Sequence, residues 1–428
     1  MAMSDVDKKG LAAEFVGSFA LLFGAGLLSM FQSDYFSYGL AISLTYAVLT
    51  TAIYQFRVAQ LNPILTLTEI FAGRVKASNG AFNIGAQFLG ACLGATLSAL
   101  ICGESGFIPA GVEGAISNKI LLAQGVFCTI LAFSHIELSA EGGRLPGITV
   151  ALVTYAAYTA TAGLSGYLNP AIAVGSNVGN ALQGNTIYAS QFFSFVIIPF
   201  LAAAAGWGLY KLAVDNLLLS ELIGSLVFTY CACCALAGGI QTFNSALSIG
   251  CIAAALVYTI GWKSGGAINP AVSIGTLGGG NGRPGDVLMY SLFQFGGGAL
   301  GAFLARHTMG PIGLLNILRN GDNLYDLVLL FVFSMLLMAA YVLTFGDVLG
   351  RPAGVMVGLV YWGFHMFFTK AMTLNVQTAF GIIVSQWLLS GEGEDWGNSL
   401  ACLGVPCLGS LLSCALLSLL PSKYQRIP

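Results

Sequence analysis

Gly265-Gly266-Ala267-Ile268-Asn269-Pro270-Ala271-Val272-Ser273 interrupts a hydrophobic run with an asparagine followed by a proline. Asn at an N-cap accepts a bond from an orphan N–H of a helix start, and Pro at the first helical position has its φ already set. The stretch therefore reads as the opening of a short apolar helix. Moving outward, related starts occur at Asn62-Pro63-Ile64, Asn169-Pro170-Ala171 and Asn375-Val376-Gln377, so consecutive asparagines stand 107, 100 and 106 residues apart. In a lipid-embedded chain, a helix start at mid-membrane is tolerated only where its backbone is buried in protein or lines a polar cavity. The repeat implies a pore whose half-motif is built four times.

The surrounding composition is that of a membrane protein. Of 428 residues 57% are hydrophobic and only 8% charged, with a mean hydropathy of +0.83, whereas soluble domains carry about 25% charged residues. Twelve apolar runs, from Leu11–Met30 to Leu400–Leu420, have about the length that spans a bilayer. The first lacks a signal-peptide cleavage pattern and reads as an uncleaved span. With this count both termini share a side, and twelve of the 16 Lys and Arg fall there; Lys119, Arg306, Arg319 and Lys370 fall opposite. That bias places both termini in the cytoplasm or its equivalent. The net charge of -2 and the lack of a basic tail give no sign of a nucleic-acid partner.

The quarters alternate. The first and third follow their re-entrant helix with Gln87-x-x-Gly90-Ala91 and Gln294-x-x-Gly297-Gly298, the second and fourth with Pro199-Phe200-Leu201-Ala202 and Pro406-Cys407-Leu408-Gly409. Three full spans per quarter invert the next one, so half-helices enter from opposite faces and meet near the midplane. The expected architecture is all-α and integral to the membrane, with twelve spans and four re-entrant half-helices. It divides into units at residues 1–212 and 213–428.

These residues resemble a known family. The nine-residue stretch at 265–273, Tyr167-Leu168-Asn169-Pro170-Ala171, Gln87-x-x-Gly90-Ala91 and Glu14-x-x-Gly17-Ser18 are similar to the signatures of aquaporins, the major intrinsic proteins, and the likeness covers the chain twice. The resemblance implies one water or small-solute pore per six-span unit, with Asn62 and Asn169 serving the first and Asn269 and Asn375 the second. It implies that Glu14 and Glu221 accept hydrogen bonds from the re-entrant loops, with Gln124 and Asp326 at the corresponding places of the other quarters. Family tetramers further imply a homodimer of this chain closing a four-unit ring.

Departures from the family bear on selectivity. The arginine that water-selective aquaporins place after the second motif is replaced by Ile172 in the first unit and Thr378 in the second. The filter aromatic falls at Ile42 and Ile249, with Tyr38 as the match if a short insertion is allowed, and the remaining wall near Thr154 to Ala157 and Val360 to Gly363. Arginine-free mouths favour uncharged solutes such as glycerol, urea or ammonia. The motif variants Ile64, Val376 and Gln377 depart from Pro-Ala, and Gln377 is expected to line the second pore, to pair with Asn269 and plug it, or to mark a unit no longer needed for transport.

Other chemistry finds little support. The ten cysteines sit in or beside apolar runs and read as packing residues, Cys231, Cys233 and Cys234 included. His135, His307 and His365 are far apart, with no ligand spacing, and read as packing or interface residues. The sequence implies no cofactor, no metal site and no catalytic residue. Beside the passive channel stand a non-conducting structural or assembly subunit that keeps the fold, and a coupled secondary transporter.

Overall fold

A computed structural model describes residues 7–29, 35–53, 60–102, 118–140, 146–161, 167–184, 189–213, 215–237, 243–280, 282–312, 323–345, 353–367, 373–390 and 396–420. These residues form sixteen α-helices. The first eight are α1 (Lys8–Ser29), α2 (Tyr35–Ile53), α3 (Pro63–Phe71), α4 (Ala77–Cys102), α5 (Asn118–Ala140), α6 (Pro146–Ala160), α7 (Pro170–Leu182) and α8 (Ala189–Ala213). They are followed by α9 (Leu217–Leu236), α10 (Phe243–Ser264), α11 (Pro270–Gly278), α12 (Pro284–Met309), α13 (Asn323–Phe345), α14 (Ala353–Phe367), α15 (Val376–Ser390) and α16 (Trp396–Leu417). The chain divides into two compact units, Met1–Lys211 and Leu212–Pro428.

The protein has an all-α integral membrane fold. Among the described residues nine helices are long and apolar enough to cross a bilayer, while α2, α6 and α14 are shorter apolar helices. Each of those three is the second helix of its quarter and precedes a re-entrant start. The faces of long helices turned outward carry exposed Leu and Val, as at Leu44, Val48, Leu89 and Leu100, the pattern of a chain whose outer solvent is hydrocarbon.

Within the first unit α1 packs along α4, α2 along α6, and the short α3 and α7 lie against α4. Glycine permits the closest of these approaches: a Cβ at Gly90 would run into the carbonyl oxygen of Phe15 on α1. The second unit repeats the arrangement, with α9 along α12 and α10 along α14, and Gly297 of α12 meets the Leu222 carbonyl of α9 in the same way. Small residues at such contacts let helix backbones approach closely, the packing that membrane helices favour.

Candidate functional site

Each of the four short helices begins at its expected asparagine. Asn62 has extended backbone and its side-chain oxygen accepts from Ile64 N at 3.0 Å; Asn169 does the same for Ala171 N at 2.9 Å, and Asn269 for Ala271 N at 3.1 Å. Pro63, Pro170 and Pro270 occupy the first helical position, where a missing N–H costs nothing.

The two starts of the first unit face one another through their own caps. Asn62 Nδ2 donates to Leu168 O at 3.0 Å, and Asn169 Nδ2 donates to Leu61 O at 2.7 Å, so each amide reaches the carbonyl just before the other asparagine. Each NH2 group has a second hydrogen, which none of the described residues accepts. Both asparagines are buried.

Holding these starts in place falls to side chains on the long helices. Glu14 of α1 accepts from Gln60 N at 2.9 Å, Leu61 N at 2.8 Å and Gln87 Nε2 at 2.8 Å. Gln87 also donates to Thr66 Oγ1 at 2.8 Å, tying α4 to α3. Leu61 has φ +48°, in the left-handed region that a branched residue adopts only under constraint; its N–H and its C=O are both fixed, by Glu14 and by Asn169. Gln124 of α5 donates to Tyr167 O, two residues before Asn169.

The second unit repeats the support with one more donor. Glu221 accepts from Ser264 Oγ at 2.7 Å, Ala267 N at 3.1 Å, Ile268 N at 2.8 Å and Gln294 Nε2 at 2.8 Å. Ile268 has φ +35°, matching the strained Leu61. Asp326 is buried in the first turn of α13.

The fourth start differs as its sequence does. Without proline, Val376 has an N–H, and it donates across to Asn269 Oδ1 at 3.2 Å. Asn375 Oδ1 caps Thr378 N at 3.1 Å, one residue further along than the other asparagines. Gln377 does not meet Asn269: its Nε2 donates to Ser225 O of α9 at 3.3 Å. Of the alternatives for Gln377, the pairing with Asn269 is not made; the N–H that Val376 has in place of proline donates to Asn269 instead.

Between the two asparagines of this unit stands a residue of the expected wall at Val360 to Gly363. Tyr361 of α14 is 1% exposed, and its hydroxyl lies 3.1 Å from Asn269 Nδ2 and 3.2 Å from Asn375 Nδ2. Asn375 Nδ2 also donates to Ile268 O at 2.7 Å, and Asn269 Nδ2 approaches Leu374 O at 3.4 Å.

Of the other expected mouth residues, Tyr38, Ile42, Ile172 and Ile249 are buried. The Thr378 hydroxyl is taken by Thr229 Oγ1 of α9 at 3.0 Å. His135 departs from its reading as a packing residue. Its Nε2 lies 2.9 Å from Glu69 Oε1 at the far end of α3, and Arg74 approaches the same oxygen at 3.5 Å while donating to Ile136 O at 3.1 Å. Glu69 and His135 are 66 residues apart, a separation that carries no local signal; the acid inside the short apolar α3 was the available clue. His365 is 1% exposed, and neither ring nitrogen has a hydrogen-bond partner among the described residues.

Paired re-entrant helices, capped by asparagines and facing each other inside a bundle of apolar helices, define a class of integral membrane protein. The family model described as Major intrinsic protein matches residues 208–417, which is nearly the whole second unit. The chain is also 26% identical over 195 residues to "Glycerol uptake facilitator protein-like 6" of Lactiplantibacillus plantarum, covering 41% of this chain and 88% of that protein. The second unit is thus similar to the major intrinsic proteins.

Proposed function

We propose that this protein is a passive membrane channel for water and small uncharged solutes of the glycerol, urea and ammonia class, and that the first unit conducts. The observation that carries the reading is the state of Asn62 and Asn169. Each spends one amide hydrogen on the opposite helix start and keeps one for a passing oxygen. Two helix N-termini aimed at one place add about half an elementary charge each, which opposes cations. Selectivity then rests on donors, width and this electrostatic barrier.

In this reading the first unit is a second, aquaporin-like copy of the matched fold. Tyr38, Ile42 and Ile172 form its mouth, and Ile249 and Thr378 form the corresponding wall in the other unit. Glu14, Gln124, Glu221 and Asp326 are loop supports. Termini on the cytoplasmic side and a homodimer with four six-span units complete the reading. The likeness to the glycerol uptake facilitator protein-like 6 supports a neutral polyol among the solutes.

Stopped-flow light scattering on vesicles containing the full chain tests it. Water, glycerol, urea or ammonia flux should exceed that of empty vesicles, and Asn169→Leu should lower it at least several-fold. Permeability equal to empty vesicles for every solute would leave the fold as a structural or assembly subunit instead.

A further inference from the structure

We propose that Tyr361 is a built-in plug that closes the second unit's pore, its phenol occupying the place where a solute would otherwise meet the two asparagines. This rests on the channel reading of the fold and adds to it a residue that decides which unit conducts.

The geometry is that of a captive ligand. One oxygen receives both amides, from Asn269 at 3.1 Å and Asn375 at 3.2 Å, and these are the donors that in the first unit are left for solute. The ring is fully buried and packs on Phe228 of α9, with centroids 4.9 Å apart. Behind it the Val376 N–H closes onto Asn269 Oδ1 at 3.2 Å, joining the two helix starts directly. No proline-opened helix could make that bond, because proline has no N–H. A solute would have to break several hydrogen bonds and move an aromatic ring from a packed site.

The first unit shows what the same place holds without a plug. Gly147 near the start of α6 lies against Ala47 and Thr50 of α2, as Gly354 of α14 lies against Ala254 and Tyr258 of α10. Seven residues after these matching glycines stand Thr154 and Tyr361. Thr154 turns its hydroxyl back onto its own helix, donating to Val150 O at 2.8 Å. A threonine at this place cannot reach both asparagines; a tyrosine does. A vestibule of about 490 Å³ does open beside α11, lined among others by Ser264, Ala267, Ser273 and Tyr341, but neither asparagine lines it.

The test uses the full chain in vesicles with the first pore disabled by Asn169→Leu. Adding Tyr361→Ala should raise water or urea flux at least tenfold above the Asn169→Leu background, and Tyr361→Phe, which keeps the ring, should raise it far less. Flux that stays at the background in the Tyr361→Ala double variant, while the wild-type chain conducts, overturns the plug and leaves the channel reading intact. An experimental structure of the wild-type chain in lipid gives a readout independent of flux and of variant folding. A Tyr361 hydroxyl between Asn269 and Asn375 supports the plug even if the wild-type vesicles conduct nothing, and a continuous file of waters past Tyr361 overturns it.

Discussion

Glu14 and Glu221 are wholly buried carboxylates, and their burial is tolerable because every bond they make is to a donor that would itself otherwise be orphaned. Glu14 satisfies two backbone N–H groups of the 60–61 turn and one amide hydrogen of Gln87. It also holds Leu61 at φ +48°, a conformation worth about 1–3 kcal/mol of strain, in the pose that presents the Leu61 carbonyl to Asn169. Replacing the carboxylate by Gln keeps one acceptor oxygen and gives up the other, whereas Leu abandons all three donors at about 1–3 kcal/mol each. Thermal unfolding of the full chain in detergent should therefore rank wild type above Glu14→Gln and both well above Glu14→Leu; a Leu variant melting with the wild type would refute the support role. This carboxylate was legible in the sequence, since an acid early in an apolar span must find donors, and the re-entrant turn was the segment rich in unpaired ones. Tyr361 was legible only as one of the four residues of the expected wall at Val360 to Gly363, because a tyrosine fits the apolar pattern of α14 as well as any leucine. Only the rotation of that helix decides where its hydroxyl points.

At the scale of elements, the short helices are held at both ends by different means. The inner end of α3 is fixed by Asn62 and Glu14, and its outer end by the Glu69 carboxylate lying against His135 of α5, with Arg74 closing over it. The side chains of Glu69 and His135 are 7% and 9% exposed, so solvent cannot replace the partner. Removing one member of such a buried pair is costly because the other stays behind uncompensated. His135→Ala should lower stability by about 3 kcal/mol by the same reasoning, whereas the double variant Glu69→Leu with His135→Ala should recover part of the loss. Unfolding midpoints of the three chains check this, and a single variant as stable as the parent would show that Arg74 alone suffices. The four helix starts could be read from Asn spacing because capping is local chemistry. The α3 to α5 tie could not, since it joins residues that only the tertiary packing brings together. Likewise Gln377 carried an amide that suggested a partner at Asn269. The shift of the fourth cap to Thr378 and the freed Val376 N–H gave that bond to the backbone instead.

For the whole molecule, the question is whether solute movement is coupled to an ion, since inverted repeats and broken helices also occur in secondary transporters. An intramembrane acid is by default a candidate proton carrier. Here Glu14 faces three donors and Glu221 four, all directed at holding re-entrant turns. A group in that position that took up a proton would turn an acceptor into a donor against N–H groups, breaking the turn that shapes the pore. Proton cycling and an intact pore are therefore in opposition at these residues. The expected outcome is that initial glycerol or urea flux into vesicles depends on the solute gradient alone, unchanged within measurement error when a proton gradient of either sign is imposed, and that final solute concentrations inside and outside equalise. Accumulation above the outside concentration, driven by protons and abolished by Glu14→Gln in a chain that still folds, would make this protein a transporter and the carboxylates its relay.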